Sequence, residues 1–107
     1  MHTKIFSATT IGVHAHQVDV EVDLAFGLID FLIVGLPDTA IKESRQRVIT
    51  ALKNSGFKSP EKKITVNLAP AHLKKEGTLF DLPIALGILK AARMIEIQDS
   101  FLQETII

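Results

Sequence analysis

The segment Lys74-Lys75-Glu76-Gly77, directly ahead of a strongly apolar stretch, is the first place where residue types and spacing suggest chemistry. A glycine-containing loop at a helix N-terminus presents free amides and the positive end of the helix dipole, which suits anions. The plainer reading of the same residues is a tight turn into a helix. Arg45 and Arg47, with Lys42 and Lys53, add a basic helix surface that could meet phosphates if it converged with the loop cations. His14 and His16 stand two apart and could offer two nitrogens to a metal. A third or fourth ligand would have to come from Asp30 or His72, which nothing in the sequence brings near, so two polar turn histidines are the simpler account. Asp19, Glu21 and Asp23 alternate with valines, which marks the solvated face of a strand rather than a carboxylate cluster. The glycines at 12, 27, 35, 56, 77 and 87 build no phosphate-binding cradle of either common type.

The elements that must position these residues follow from periodicity. Lys4 to Gly12 and Gln17 to Ala25 read as an antiparallel hairpin joined through Val13-His14-Ala15-His16, with Val18, Val20, Val22 and Leu24 facing inward. Phe31-Leu32-Ile33-Val34 is a short continuous apolar run, which predicts a central strand covered on both faces. A helix then starts with Asp38 or Thr39 as its cap. It buries the stripe Ile41, Val48, Ile49 and Leu52, and it stops at Asn54-Ser55-Gly56. Lys63 to Leu68 alternates again as a strand. Leu79 to Met94 is apolar on nearly every side and predicts a buried helix, with Asp81 as cap and Pro83 in its first turn. Phe101 to Ile107 ends on β-branched residues and reads as the start of a strand at which the chain is cut.

The order of strands and helices gives a mixed α/β (α+β) layer fold in a single domain over 1–107. At this length a chain buries roughly 65% of the surface it exposes when unfolded. Twelve basic and twelve acidic residues leave no net charge, which argues against a dedicated nucleic-acid binder. The absence of cysteine removes disulfides, thiolate metal sites and cysteine nucleophiles, and fits a reducing compartment such as the cytoplasm. Nowhere do the ~18 consecutive apolar residues of a membrane span occur, so no membrane partner is expected.

Four blocks carry a more specific resemblance: Ile33-Val34-Gly35-Leu36-Pro37-Asp38-Thr39-Ala40, Lys53-Asn54-Ser55-Gly56-Phe57, Ile64-Thr65-Val66-Asn67-Leu68-Ala69-Pro70-Ala71, and Lys75-Glu76-Gly77 followed by Phe80-Asp81-Leu82-Pro83-Ile84-Ala85-Leu86-Gly87. Together they resemble the N-terminal domain of the magnesium chelatase-like AAA+ proteins, the YifB/ComM family, from about Lys4 to Ala92. The resemblance implies a mixed sheet with two main helices, like the Lon protease domain and the second domain of a small-subunit ribosomal protein. It implies a AAA+ module downstream that binds ATP and magnesium, a homo-hexameric parent protein, and a part in DNA branch migration during recombination and natural transformation. No cofactor or metal is implied within these residues.

In Lon-type enzymes the serine nucleophile follows a Lys-Asp-Gly-Pro loop. The corresponding run here is Lys75-Glu76-Gly77-Thr78-Leu79-Phe80, which sets Leu79 at the serine position and Thr78 one residue early. A leucine can neither attack a carbonyl nor pass on a proton, so no catalytic residue is assigned. His14, His72 and Thr78-Leu79 also depart from the commoner family pattern. The expected role is a non-catalytic accessory domain, with Arg45, Arg47, Lys74, Lys75, Glu76 and Gly77 as its candidate interaction surface and DNA as a possible partner. The alternatives are a degenerate Lon-like hydrolase using Thr78 and a purely structural interaction or oligomerisation module.

Overall fold

The computed structural model of the chain describes every residue except Lys74 and Glu76. Four strands, β1 (His2–Ile11), β2 (His14–Ala25), β3 (Asp30–Val34) and β4 (Lys63–Ala69), form one sheet in the order β1-β2-β4-β3. The β1/β2 and β2/β4 pairs are antiparallel and β3/β4 is parallel. Helix α1 (Asp38–Asn54) makes the crossover between β3 and β4, and α2 (Asp81–Ala91) follows a 3-10 turn at Gly77–Phe80. A short α3 (Asp99–Gln103) lies near the end. The expected α/β class with two main helices is what the structure has.

One face of the sheet carries the core. Ile5, Val18, Val20, Val22, Ile33, Ile64, Val66 and Leu68 are buried there, together with Val48 and Leu52 of α1 and Ile84 and Ile88 of α2. Helix α2 packs on β1 and β2, and α1 packs on α2. The opposite face is polar over β1 and β2, where Lys4 pairs with Glu21 at 3.4 Å and His2 Nδ1 lies 2.8 Å from Asp23. No helix among the described residues is long and apolar enough to cross a membrane.

Several sequence expectations need correction. His14 and His16 lie inside β2, because the hairpin turns on Gly12 and Val13 alone. β3 is an edge strand and not a central one: Phe31 and Ile33 are buried, while Leu32 and Val34 remain 40% and 51% exposed. The crossover through α1 places β4 between β2 and β3, and a four-residue apolar run carries no information about that order. In α1 the buried positions are Ser44, Val48 and Leu52, with Ile49 turned outward. Neither Asp38 nor Thr39 caps α1 and Asp81 does not cap α2: α1 begins after Pro37 and α2 after Phe80, each without a side-chain cap bond. Helix α2 covers Asp81–Ala91 rather than Leu79 to Met94, its first turn being preceded by the 3-10 turn. Phe101 falls in α3, and only Ile106 bridges to β1, beside Phe6.

The end of α1 follows expectation. Gly56 takes φ +86°, its N–H donates to Lys53 O at 3.1 Å and the Phe57 N–H donates to Leu52 O at 2.9 Å. This is the paired bonding by which a left-handed residue satisfies the last carbonyls of a helix.

Candidate interaction surface where the two helices meet

Arg45 and Arg47 project from α1 in different directions and both are half-buried. Arg45 Nη1 donates to Phe31 O at 3.0 Å, and the Phe31 N–H donates to Asp30 Oδ1 at 2.8 Å. Side chains thus satisfy backbone groups on the outer strand of the sheet, which blunts a template for unwanted strand pairing. Arg47 turns toward α2. Its Nε donates to Asp81 Oδ2 at 2.6 Å and its Nη2 to Asp81 Oδ1 at 3.3 Å, while Glu43 stands 3.8 Å from Nη1. Ser44, fully buried, donates from Oγ to Asp81 Oδ1 at 3.1 Å. The hydrogen bond to Asp81 raises the Arg47 pKa further above its already high range, against the opposing effect of desolvation and with help from the Asp81 and Glu43 charges. Such a two-pronged contact fixes direction as well as distance, a job that suits arginine better than lysine.

Lys75 is 4% exposed. Its Nζ donates to Gly35 O at 3.2 Å and to Leu73 O at 3.0 Å, and burial lowers its pKa. It ties the segment before the 3-10 turn to the end of β3. Gly77 opens that turn, whereas the candidates Lys74 and Glu76 lie outside the described residues. Thr78 is exposed and Leu79 is 49% exposed, as is Leu82 at 61%. The position that the Lon comparison reserves for a nucleophile therefore presents a hydrocarbon side chain to the surface.

The structure joins Arg47 to α2 and Lys75 to the end of β3, but it sends Arg45 to the sheet edge. The sequence does not reveal Asp81 as the shared partner of Arg47 and Ser44. The only sequence signal is a carboxylate at the start of one helix and a basic residue on another, 34 positions apart, with no local spacing to connect them. His14, His16, Asp30 and His72 do not converge, and no group of three or more His, Cys, Asp or Glu among the described residues could hold a metal ion.

Residues 20–107 match the family model described as subunit ChlI of Mg-chelatase. The competence protein ComM of Haemophilus influenzae is 51% identical over 92 residues, which is 86% of this chain and 18% of that protein. YifB of Escherichia coli is 47% identical over 95 residues, covering 89% of this chain and 18% of its own length. YifB of Salmonella typhimurium is 46% identical over the same extent. The chain thus spans less than a fifth of the length of these relatives. On the agreement of these relatives with the family model over most of its length, the chain belongs to the magnesium chelatase-like AAA+ family of ChlI, ComM and YifB.

Proposed function

We propose that the chain is a non-catalytic, Lon-like domain of a cytoplasmic AAA+ ATPase that remodels DNA, as in branch migration during recombination or transformation. ATP and magnesium are bound by the AAA+ module of the longer protein, whose active form is a homo-hexamer. The observation that carries the reading is the 51% identity to a protein named for competence over 86% of the chain. Support for the non-catalytic part comes from Leu79, which has no group to serve as nucleophile, and from Lys75, whose Nζ is occupied by two carbonyls. The candidate residues for contact with DNA or with the rest of the ring are Arg45, Arg47, Lys74, Lys75, Glu76 and Gly77, of which Arg45, Arg47 and Lys75 are held by contacts within the fold.

Two measurements test this. The purified 107-residue chain neither binds nor hydrolyses ATP, whereas the full-length protein does both; turnover by the chain alone would overturn the proposal. Full-length protein binds branched DNA in fluorescence anisotropy, with affinity that falls as salt rises. Absence of such binding removes DNA as the substrate.

A further inference from the structure

The uncovered face of the sheet has two unlike halves. Over β1 and β2 its side chains are polar and pair among themselves, His2 with Asp23 and Lys4 with Glu21. Over β3 it is apolar. Phe31 and Ile33 point into the core, so Leu32 and Val34 point outward, 40% and 51% exposed. The loop that leads into this strand reads Phe26-Gly27-Leu28-Ile29, with Phe26, Leu28 and Ile29 at 91%, 90% and 70% exposure. Single exposed apolar side chains are ordinary, but these five between positions 26 and 34 mark a contact surface.

The patch is held in place by the fold itself. Lys62 Nζ lies 5.1 Å from the centre of the Phe26 ring, and Asp30 Oδ1 and Arg45 Nη1 fix the N–H and carbonyl of Phe31. Because side chains already satisfy those backbone groups, a partner packs on the side chains here rather than adding as a strand. Lys63 points to the same side as Asp30, Leu32 and Val34. Neither Lys62 nor Lys63 makes an ion pair among the described residues. Two lysines against Asp30, which stands opposite Lys63 in the register, leave this border with an excess of positive charge that suits a partner bringing a carboxylate.

Size decides what covers it. Five side chains offer a few hundred Å², short of the ~800 Å² per partner of a stable interface between separate chains. A tethered partner needs no such area, since a short flexible linker holds it at an effective concentration on the order of millimolar. The chain spans only 18% of the length of ComM of Haemophilus influenzae and of YifB of Escherichia coli. We propose that the Phe26–Ile29 loop with Leu32 and Val34 is the seat of a segment of the same polypeptide from outside residues 1–107. That segment is apolar where it meets Leu28 and Leu32 and carries a carboxylate toward Lys62 and Lys63. The contact is made within each subunit and leaves the interfaces of a ring to other surfaces. It is independent of the DNA and ATPase reading, and either can fail without the other.

Photocrosslinking of the full-length protein tests it, with p-benzoylphenylalanine in place of Leu28. The expected product runs as a single chain in a denaturing gel, and mass spectrometry joins position 28 to an apolar stretch outside 1–107 with an Asp or Glu close by. A product of two chains, a cross-link that stays within 1–107, or no cross-link overturns the proposal. Hydroxyl-radical labelling of the unmodified full-length protein is the second measurement. Left bare, Phe26 at 91% exposure labels about tenfold faster than Phe80 at 0%; under a cover the two label within about twofold of each other. Leu28→Asp, at a solvated position, reopens the site and raises Phe26 labelling at least about fivefold. Fast labelling of Phe26 in the unmodified protein, or labelling indifferent to Leu28→Asp, refutes the cover.

Discussion

Gly35 occupies the turn that sends the chain from β3 into α1, and replacing it with alanine separates two physical effects. Its φ is +107°, where an L side chain is strained by about 1–2 kcal/mol. In addition a Cβ at this position would overlap the backbone carbonyl oxygen of Leu68 and stand 3.0 Å from Leu68 Cβ. Leu68 is fully buried in β4, so neither atom can swing away, and the overlap adds about 1–3 kcal/mol of overpacking. Lower chain entropy in the unfolded state returns about 0.4–1 kcal/mol. Gly35→Ala is therefore expected to cost about 3 kcal/mol, within bounds of roughly 1–4.6 kcal/mol. Gly56 is the control. Its φ is +86° with no atom within 4 Å of an added Cβ, so Gly56→Ala retains the strain without the overlap and is expected to cost about 1 kcal/mol. Urea unfolding followed by far-ultraviolet circular dichroism measures both, and with a slope of about 1–3 kcal/mol/M a 2 kcal/mol difference moves the midpoint by roughly 1 M. If the two variants lose equal stability, within the ~0.5 kcal/mol typical of independent surface changes, close approach to Leu68 is not what makes alanine costly at position 35.

Lys75 carries a pH signature. Because burial lowers its folded pKa below the unfolded value of 10.5, the unfolded chain holds more protons between those two values, and stability rises with pH through that window. Below the folded value the burial penalty is fully present. Lys75→Met should flatten the rise in urea midpoint seen as pH climbs from neutrality toward 10.5; an unchanged slope would assign the effect to another group. For the joint between the helices, Arg47→Glu sets three carboxylates together with Glu43 and Asp81, and should lower the midpoint. Asp81→Arg in the same chain restores an opposite pair and should recover part of the loss, whereas strictly additive losses in the double variant would mean that the two side chains do not act through one another.

Local pattern made some elements legible and could not reach others. The alternation from Val18 to Leu24 and from Ile64 to Leu68 specifies which side chains face the core, because the two-residue period leaves one choice of face once the valines must be buried. Gly56 marked the end of α1 for a reason internal to its own turn. By contrast, the run Phe31 to Val34 has apolar residues on both faces, and its place at the edge depends on where the α1 crossover delivers β4. Asp81 sits where a cap would sit, but its carboxylate is taken by Arg47 and Ser44, from a helix 34 or more residues earlier. Arg45 and Arg47 looked alike on a helix wheel as solvated cations, and only the packed structure distinguishes a residue that closes a strand edge from one that locks two helices.

That distinction changes what zero net charge means for a DNA partner. Arg45 is committed to a backbone carbonyl, Arg47 to two carboxylates and Lys75 to two carbonyls, so three of the candidate cations hold the fold rather than an open phosphate-binding face. On α1 itself the exposed cations are Lys42 and Lys53, eleven positions and about three turns apart, which brings both to the same side of the helix. Two lysines neutralise at most two phosphates, and the salt dependence of binding scales with that number. Helix α1 therefore adds little to DNA affinity by charge alone. The Arg47–Asp81 contact serves position instead, keeping α1 and α2 in a fixed relation.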